Sequence, residues 1–174
     1  MTLLTPSYGL DSISATLPAA AGALGIELTV NGITSADAVA AWGLTPSSRV
    51  VVVLMDGLGD AQLRDQAHRA PFLQSLLGDG ATLRTGFPAT TATSLASLGT
   101  GQSPGQTGLV GYTARSPWTG KLATLVSWTD ADPPSKWQRA PHLFAELART
   151  TAVSRVCPDR FATSGLTDAA LSGG

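Results

Sequence analysis

Val50-Val51-Val52-Val53-Leu54-Met55-Asp56-Gly57-Leu58-Gly59 is the stretch on which the fold turns. Its first six residues are apolar and mostly β-branched valine, and Asp56 and Gly57 end the run abruptly. That is the composition of a strand buried on both faces. Pro46, Ser47 and Ser48 punctuate the chain just before it. A strand of this kind belongs in a parallel sheet flanked by helices, so the expected fold class is α/β.

Working outward, residues 61–77 supply a crossover helix. Leu63, Ala67, Phe72, Leu73, Leu76 and Leu77 recur at helical spacing, and Pro71 is placed to kink or split it. Gly78, Asp79 and Gly80 stop that helix, and residues 81–85 read as a second short strand. Gly86, Phe87 and Pro88 then turn the chain into a helix over residues 91–98. Residues 99–106 read as a loop, and 110–128 as a hairpin or irregular excursion around a turn at 117–120. Pro141 opens a helix over 141–149, and 152–156 read as a further strand of the sheet. Upstream, 17–28 and 36–42 have helical potential inside an Ala-, Gly-, Thr- and Pro-rich segment. Residues 1–47 are therefore expected as an irregular N-terminal extension packed on the core.

Composition narrows the function. The chain has 174 residues, 43% hydrophobic and 13% charged, enough for one folded domain with a sizeable core. Eleven Lys and Arg face twelve Asp and Glu, and no basic run could neutralise a series of phosphates, so no nucleic-acid surface is expected. The single Cys157 rules out an intrachain disulfide and a C-x-x-C site. No apolar run reaches the ~18 residues of a membrane span, and residues 2–6 lack the basic and apolar regions of a signal peptide. The cytoplasm is the expected compartment.

Two places can carry chemistry. Asp56 closes the 50–55 strand, and ligands in open α/β sheets bind beyond the carboxyl ends of strands. A carboxylate there, between glycines, can hold a cation, or it can simply cap the next helix. The second place is Phe87-Pro88-Ala89-Thr90-Thr91-Ala92-Thr93-Ser94, four hydroxyl residues at a helix start. A helix N-terminus with a hydroxyl suits phosphate, and an activated threonine can act as nucleophile; an ordinary N-cap is the other reading. Gly101-Gln102-Ser103-Pro104-Gly105 matches the pattern of a serine-hydrolase elbow, but Pro104 has no N–H to give an oxyanion. His68 and His142 have no partner at metal-ligand spacing, which favours solvated or capping roles. Trp118, Trp128 and Trp137 are expected as partly buried core or rim residues that can line a cleft.

Together, residues 50–59, Ala70-Pro71-Phe72-Leu73, the 87–95 segment, Gly99-Thr100-Gly101, Gly108 and Gly111-Tyr112 resemble the alkaline phosphatase superfamily, in particular its nucleotide pyrophosphatase/phosphodiesterase branch. The resemblance runs from about residue 48 onward. It implies an alkaline-phosphatase-like α/β fold with a mostly parallel central sheet and helices on both faces. It also implies that Asp56 is a metal ligand and that Thr91 is both nucleophile and ligand, with Thr90 the alternative one residue away. Two zinc ions, a phospho-threonine intermediate and a small phosphodiester or pyrophosphate substrate follow from the same resemblance. Thr107 stands where many relatives carry His, and the family's later Asp and His ligands have no counterpart. The second metal therefore lacks its ligands, and residues 48–174 are expected to be the N-terminal part of a longer catalytic domain. The competing expectation is a non-catalytic or binding domain of the same fold.

Overall fold

The computed structural model describes residues 6–77 and 82–173. A 3-10 turn at Ile13–Ala15 leads into α1 (Thr16–Ala23). The short strands β1 (Thr29–Val30) and β2 (Ile33–Thr34) then pair antiparallel. Asn31 and Gly32 between them sit at φ 50° and 77°, the backbone that an Asn-Gly hairpin turn requires. Helix α2 (Ser35–Trp42) is capped by Thr34, whose hydroxyl accepts the Asp37 N–H at 3.0 Å. It stops at Gly43, and Trp42 donates its indole N–H to the Leu10 carbonyl at 2.7 Å.

Further along, α3 (Asp60–Asp65), a 3-10 turn (Ala67–Arg69) and α4 (Pro71–Leu77) replace the single helix expected over 61–77. The break falls just before Pro71, which starts α4 because its ring fits the first helical position and no interior one. The stop expected at Gly78, Asp79 and Gly80, and Ala81 at the head of the second expected strand, lie outside the described residues. After these come α5 (Thr91–Thr100) and α6 (Pro104–Thr107), the latter inside the expected 99–106 loop. The antiparallel hairpin β3 (Thr113–Arg115) and β4 (Leu122–Thr124) spans the expected turn. Last are α7 (Pro134–Trp137), α8 (Leu143–Leu147), α9 (Asp159–Ala162) and α10 (Gly165–Leu171).

Helix α5 is the hub. Its Ala92 and Ala96 are fully buried with Leu109, Leu125 and, from α10, Ala169 and Ala170. The α5–α10 approach is close enough that a Cβ on Gly99 would fall on the Ala170 carbonyl. A second cluster joins Leu17, Ala21 and Val30 to Leu143 and Leu147 of α8, and a third holds Ala15, Ala19, Ile33 and Ala38. The N-terminal helices fall on the two stretches read as having helical potential, 17–28 and 36–42, and their segment's side chains build most of two of the three clusters.

The central sheet is the main correction. Residues 50–55 form no strand, and Val51 and Val53 are 83% and 73% exposed. Residues 152–156 form none either, and Val156 is 99% exposed. Residues 82–85 make one isolated parallel bridge, Ser12 to Arg84, in which Arg84 donates to Asp11 at 2.8 Å and accepts from Ile13 at 2.9 Å. Both sheets among the described residues are two-stranded and antiparallel, so the chain is mixed α/β without the expected parallel sheet. The physical reason is the absence of ladder partners. A strand takes its hydrogen bonds from its neighbours, and among the described residues none lies alongside 50–55. Each Val or Leu left in water there forgoes about 1.5–3 kcal/mol of burial.

Candidate active site

The two residues singled out on the sequence meet. Thr91 donates its hydroxyl to Asp56 Oδ2 at 3.1 Å across a separation of 35 residues. Asp56 lies in the turn that follows the 50–55 run, and Gly57 at φ 72° reverses the chain directly after it. Such a φ is strained for any residue with a Cβ. The aspartate is exposed and Thr91 half-buried, so the pair faces solvent.

The start of α5 separates the roles of its neighbouring threonines. Thr90 has extended backbone, φ −115° and ψ 153°, and its hydroxyl accepts the Thr93 N–H, which makes it the N-cap. Its Oγ1 also lies 2.9 Å from that of Thr93, itself fully buried. Thr91 is the first helical residue and keeps its hydroxyl free for Asp56. The cap reading of the hydroxyl cluster is realised by Thr90, and Thr91 turns its hydroxyl to Asp56. The unpaired N–H groups and partial positive charge of a helix start lie beside Thr91, an environment that favours an anion.

A family model for type I phosphodiesterase / nucleotide pyrophosphatase matches residues 50–166, more than half of the chain. The chain belongs to this family. The match opens at Val50 and takes in Asp56, Thr91, the β3–β4 hairpin and the start of α10. Comparison with curated proteins and with solved structures found no match.

Members of a phosphodiesterase family are expected to hold divalent metal, and the donor set of this chain bears on that directly. Asp56 and Thr91 offer two adjacent oxygens, a fit for two positions of one cation. Among the described residues no group of three or more His, Cys, Asp or Glu side chains converges. A tetrahedral zinc site takes three or four protein ligands, so Asp56 and Thr91 would supply part of one site and the described residues complete neither of the two.

The remaining candidates have ordinary duties. Ser103 caps α6, donating to Gln106 Oε1 at 2.7 Å while its own N–H donates there at 2.9 Å, which leaves no elbow nucleophile. His68 accepts from Arg69 Nε at 3.3 Å in a short turn. His142 precedes α8 at its N-cap, its Nε2 3.3 Å from the Gln138 amide nitrogen and its buried Nδ1 without a partner among the described residues. Thr107 is buried and donates to the Pro104 carbonyl at 3.2 Å. No described helix is long and apolar enough to cross a membrane.

The sequence reading missed Asp132 and the basic residues around the tryptophans. Ser116 donates to Asp132 at 2.6 Å and also accepts the N–H groups of Trp118 and Thr119, tying the hairpin turn to the segment before α7. The Ser116 hydroxyl and Lys136, at 3.0 Å, hold the Asp132 carboxyl below the usual carboxylate range. The usable signal was Lys136-Trp137-Gln138-Arg139, where cations alternate with an aromatic residue.

Proposed function

We propose that this chain carries the nucleophile and one metal-ligating carboxylate of a metal-dependent phosphoester hydrolase that cleaves phosphodiester or pyrophosphate bonds. The observation that carries the reading is the Thr91–Asp56 hydrogen bond, formed between two remote segments inside the region matched to the family. In this reading Thr91 Oγ1 attacks phosphorus and its proton passes through Asp56 to solvent. A P–O bond to the leaving group breaks as the Oγ1–P bond forms, and the departing oxygen takes a proton from water. Water then cleaves the Oγ1–P bond of this intermediate, releasing the phosphate monoester that keeps the substrate's other ester group and restoring the hydroxyl. Asp56 and Thr91 would hold a divalent cation, zinc by family resemblance, and when bound it would supply the acidification a threonine hydroxyl needs at neutral pH and offset phosphate charge. The start of α5 adds a favourable field for the anion.

A second reading has its own support. Asp56 is exposed, and the described residues gather too few ligands for a closed metal site. On that reading the chain is a non-catalytic or binding domain of the family. Hydrolysis of bis-p-nitrophenyl phosphate with zinc or manganese, and with EDTA, separates the two. The catalytic reading expects metal-dependent turnover that Thr91→Ala lowers at least ~1000-fold, and that Thr90→Ala alters only a few-fold. Turnover unaffected by Thr91→Ala overturns the assignment, and no turnover with either metal favours the non-catalytic domain.

A further inference from the structure

Away from Asp56 and Thr91, a cleft of about 700 Å³ opens between the α6 segment, the β3–β4 hairpin and α7. Neither site residue lines it. Its size falls in the ~300–1,000 Å³ range of small-molecule sites. Trp118 and Trp137 stand edge-to-face in its wall, with ring centroids 5.5 Å apart and planes at 84°. Trp118 is 41% exposed, a large apolar surface to leave in water, whereas Trp137 is 9% exposed and its indole N–H has no acceptor among the described residues.

Three cations share the lining: Arg115, Lys136 and Arg139. Lys136 lies 4.5 Å from the centre of the Trp118 ring and is also paired with Asp132, so its charge is largely spent. The two guanidiniums are not. Arg115 donates only to the Gly120 carbonyl, and neither it nor Arg139 has a carboxylate partner among the described residues. An unneutralised guanidinium is a planar fork that matches phosphate, sulfonate or carboxylate, and an exposed indole beside it stacks on a flat ring.

We infer that this cleft binds a small organic anion carrying a flat aromatic ring, with the ring on Trp118 and the anionic group on Arg115 and Arg139. Neither feature suffices alone. A bare inorganic anion gains nothing from the indole, and a neutral aromatic gains at most a weak cation–π contact from the guanidiniums. The inference stands on the cleft's own residues and is independent of the catalytic reading.

The probe is p-nitrobenzenesulfonate, a flat anion whose C–S bond phosphoesterase chemistry does not cut and whose nitro group quenches tryptophan. Titration into the whole chain is expected to give saturable quenching. Sulfate alone, or neutral p-nitrobenzyl alcohol, is expected to bind about tenfold more weakly or worse. The double variant Arg115→Gln/Arg139→Gln, which alters only exposed side chains, is expected to weaken binding about tenfold with an unchanged melting temperature. Trp118→Leu is expected to remove the saturable phase, and Thr91→Ala to leave it intact. Equal affinity in the arginine double variant, or equal binding of the neutral compound, overturns the proposal. Loss of binding in Thr91→Ala overturns it too, because the anion would then sit at the helix start.

Discussion

Residues 50–55, an apolar run with the look of core, and α5, half of whose residues carry hydroxyls, have opposite fates. α5 is sunk among Leu109, Leu125 and α10, whereas Val51 and Val53 stand in water. The difference lies in the backbone. A helix satisfies its own N–H and C=O groups and needs only side-chain neighbours to become buried. A strand needs another strand's backbone before burial becomes favourable. The candidate site bridges these two situations, with Thr91 at the head of the anchored element and Asp56 at the foot of the unanchored one.

The sharpest way to break the comparison is to overfill the anchored side. Gly99→Val puts a side chain onto the Ala170 carbonyl, and a loss of about 3 kcal/mol or more is expected in urea or thermal unfolding. A wild-type melting temperature would show that the α5–α10 approach is not tight. Next, Thr90→Ala removes the cap of α5 and is expected to cost about 1 kcal/mol by the same measurement, while Thr91 keeps its hydroxyl.

A smaller effect comes from acid. The folded state depresses the Asp132 carboxyl below its ordinary 3.8, so its contribution is present above that value and is lost as pH falls through the lowered one. Urea midpoints followed by tryptophan fluorescence from pH 5 down to 2.5 are expected to fall more in the wild type than in Asp132→Asn. Parallel curves would deny the carboxylate that role. The smallest stability change belongs to the exposed run: Val51→Thr with Val53→Thr is expected to stay within ~0.5 kcal/mol. A loss of several kcal/mol would mean that residues 50–55 are buried in solution and that the contrast is false.

What was legible in the sequence follows the same division. A cap in the hydroxyl cluster, found at Thr90, and Pro71 as a break were local signals that were read, while Thr34 as a cap and Gly43 and Gly101 as left-handed stops were local signals that were not. The 117–120 turn likewise produced its hairpin. The Asn31-Gly32 hairpin carried an equally local signal that went unread. The parallel sheet was not legible, because six apolar residues encode a willingness to pair and not the identity of a partner. At the site, the family resemblance implied Asp56 and Thr91 together, with Thr90 as the alternative, and it is Thr91 whose hydroxyl reaches Asp56 while Thr90 caps the helix. The aromatic cleft was out of reach because Arg115, Lys136 and Arg139 are brought together by the hairpin and α7, not by proximity along the chain alone.

The Thr91–Asp56 contact also has a consequence in chain entropy. It closes a loop of 35 residues, and holding such a loop shut costs on the order of 3 kcal/mol against roughly 1 kcal/mol from one hydrogen bond. Arg84, bridged to Asp11 and Ile13, pins the loop near its far end, yet the stem at 50–55 has no such backbone pin among the described residues. The pair is therefore a clasp with one loose arm. Any cation that grips both oxygens must first gather that arm in, and its apparent affinity is lowered by the entropy of doing so; whatever else fastens residues 50–55 would tighten metal binding without touching the metal.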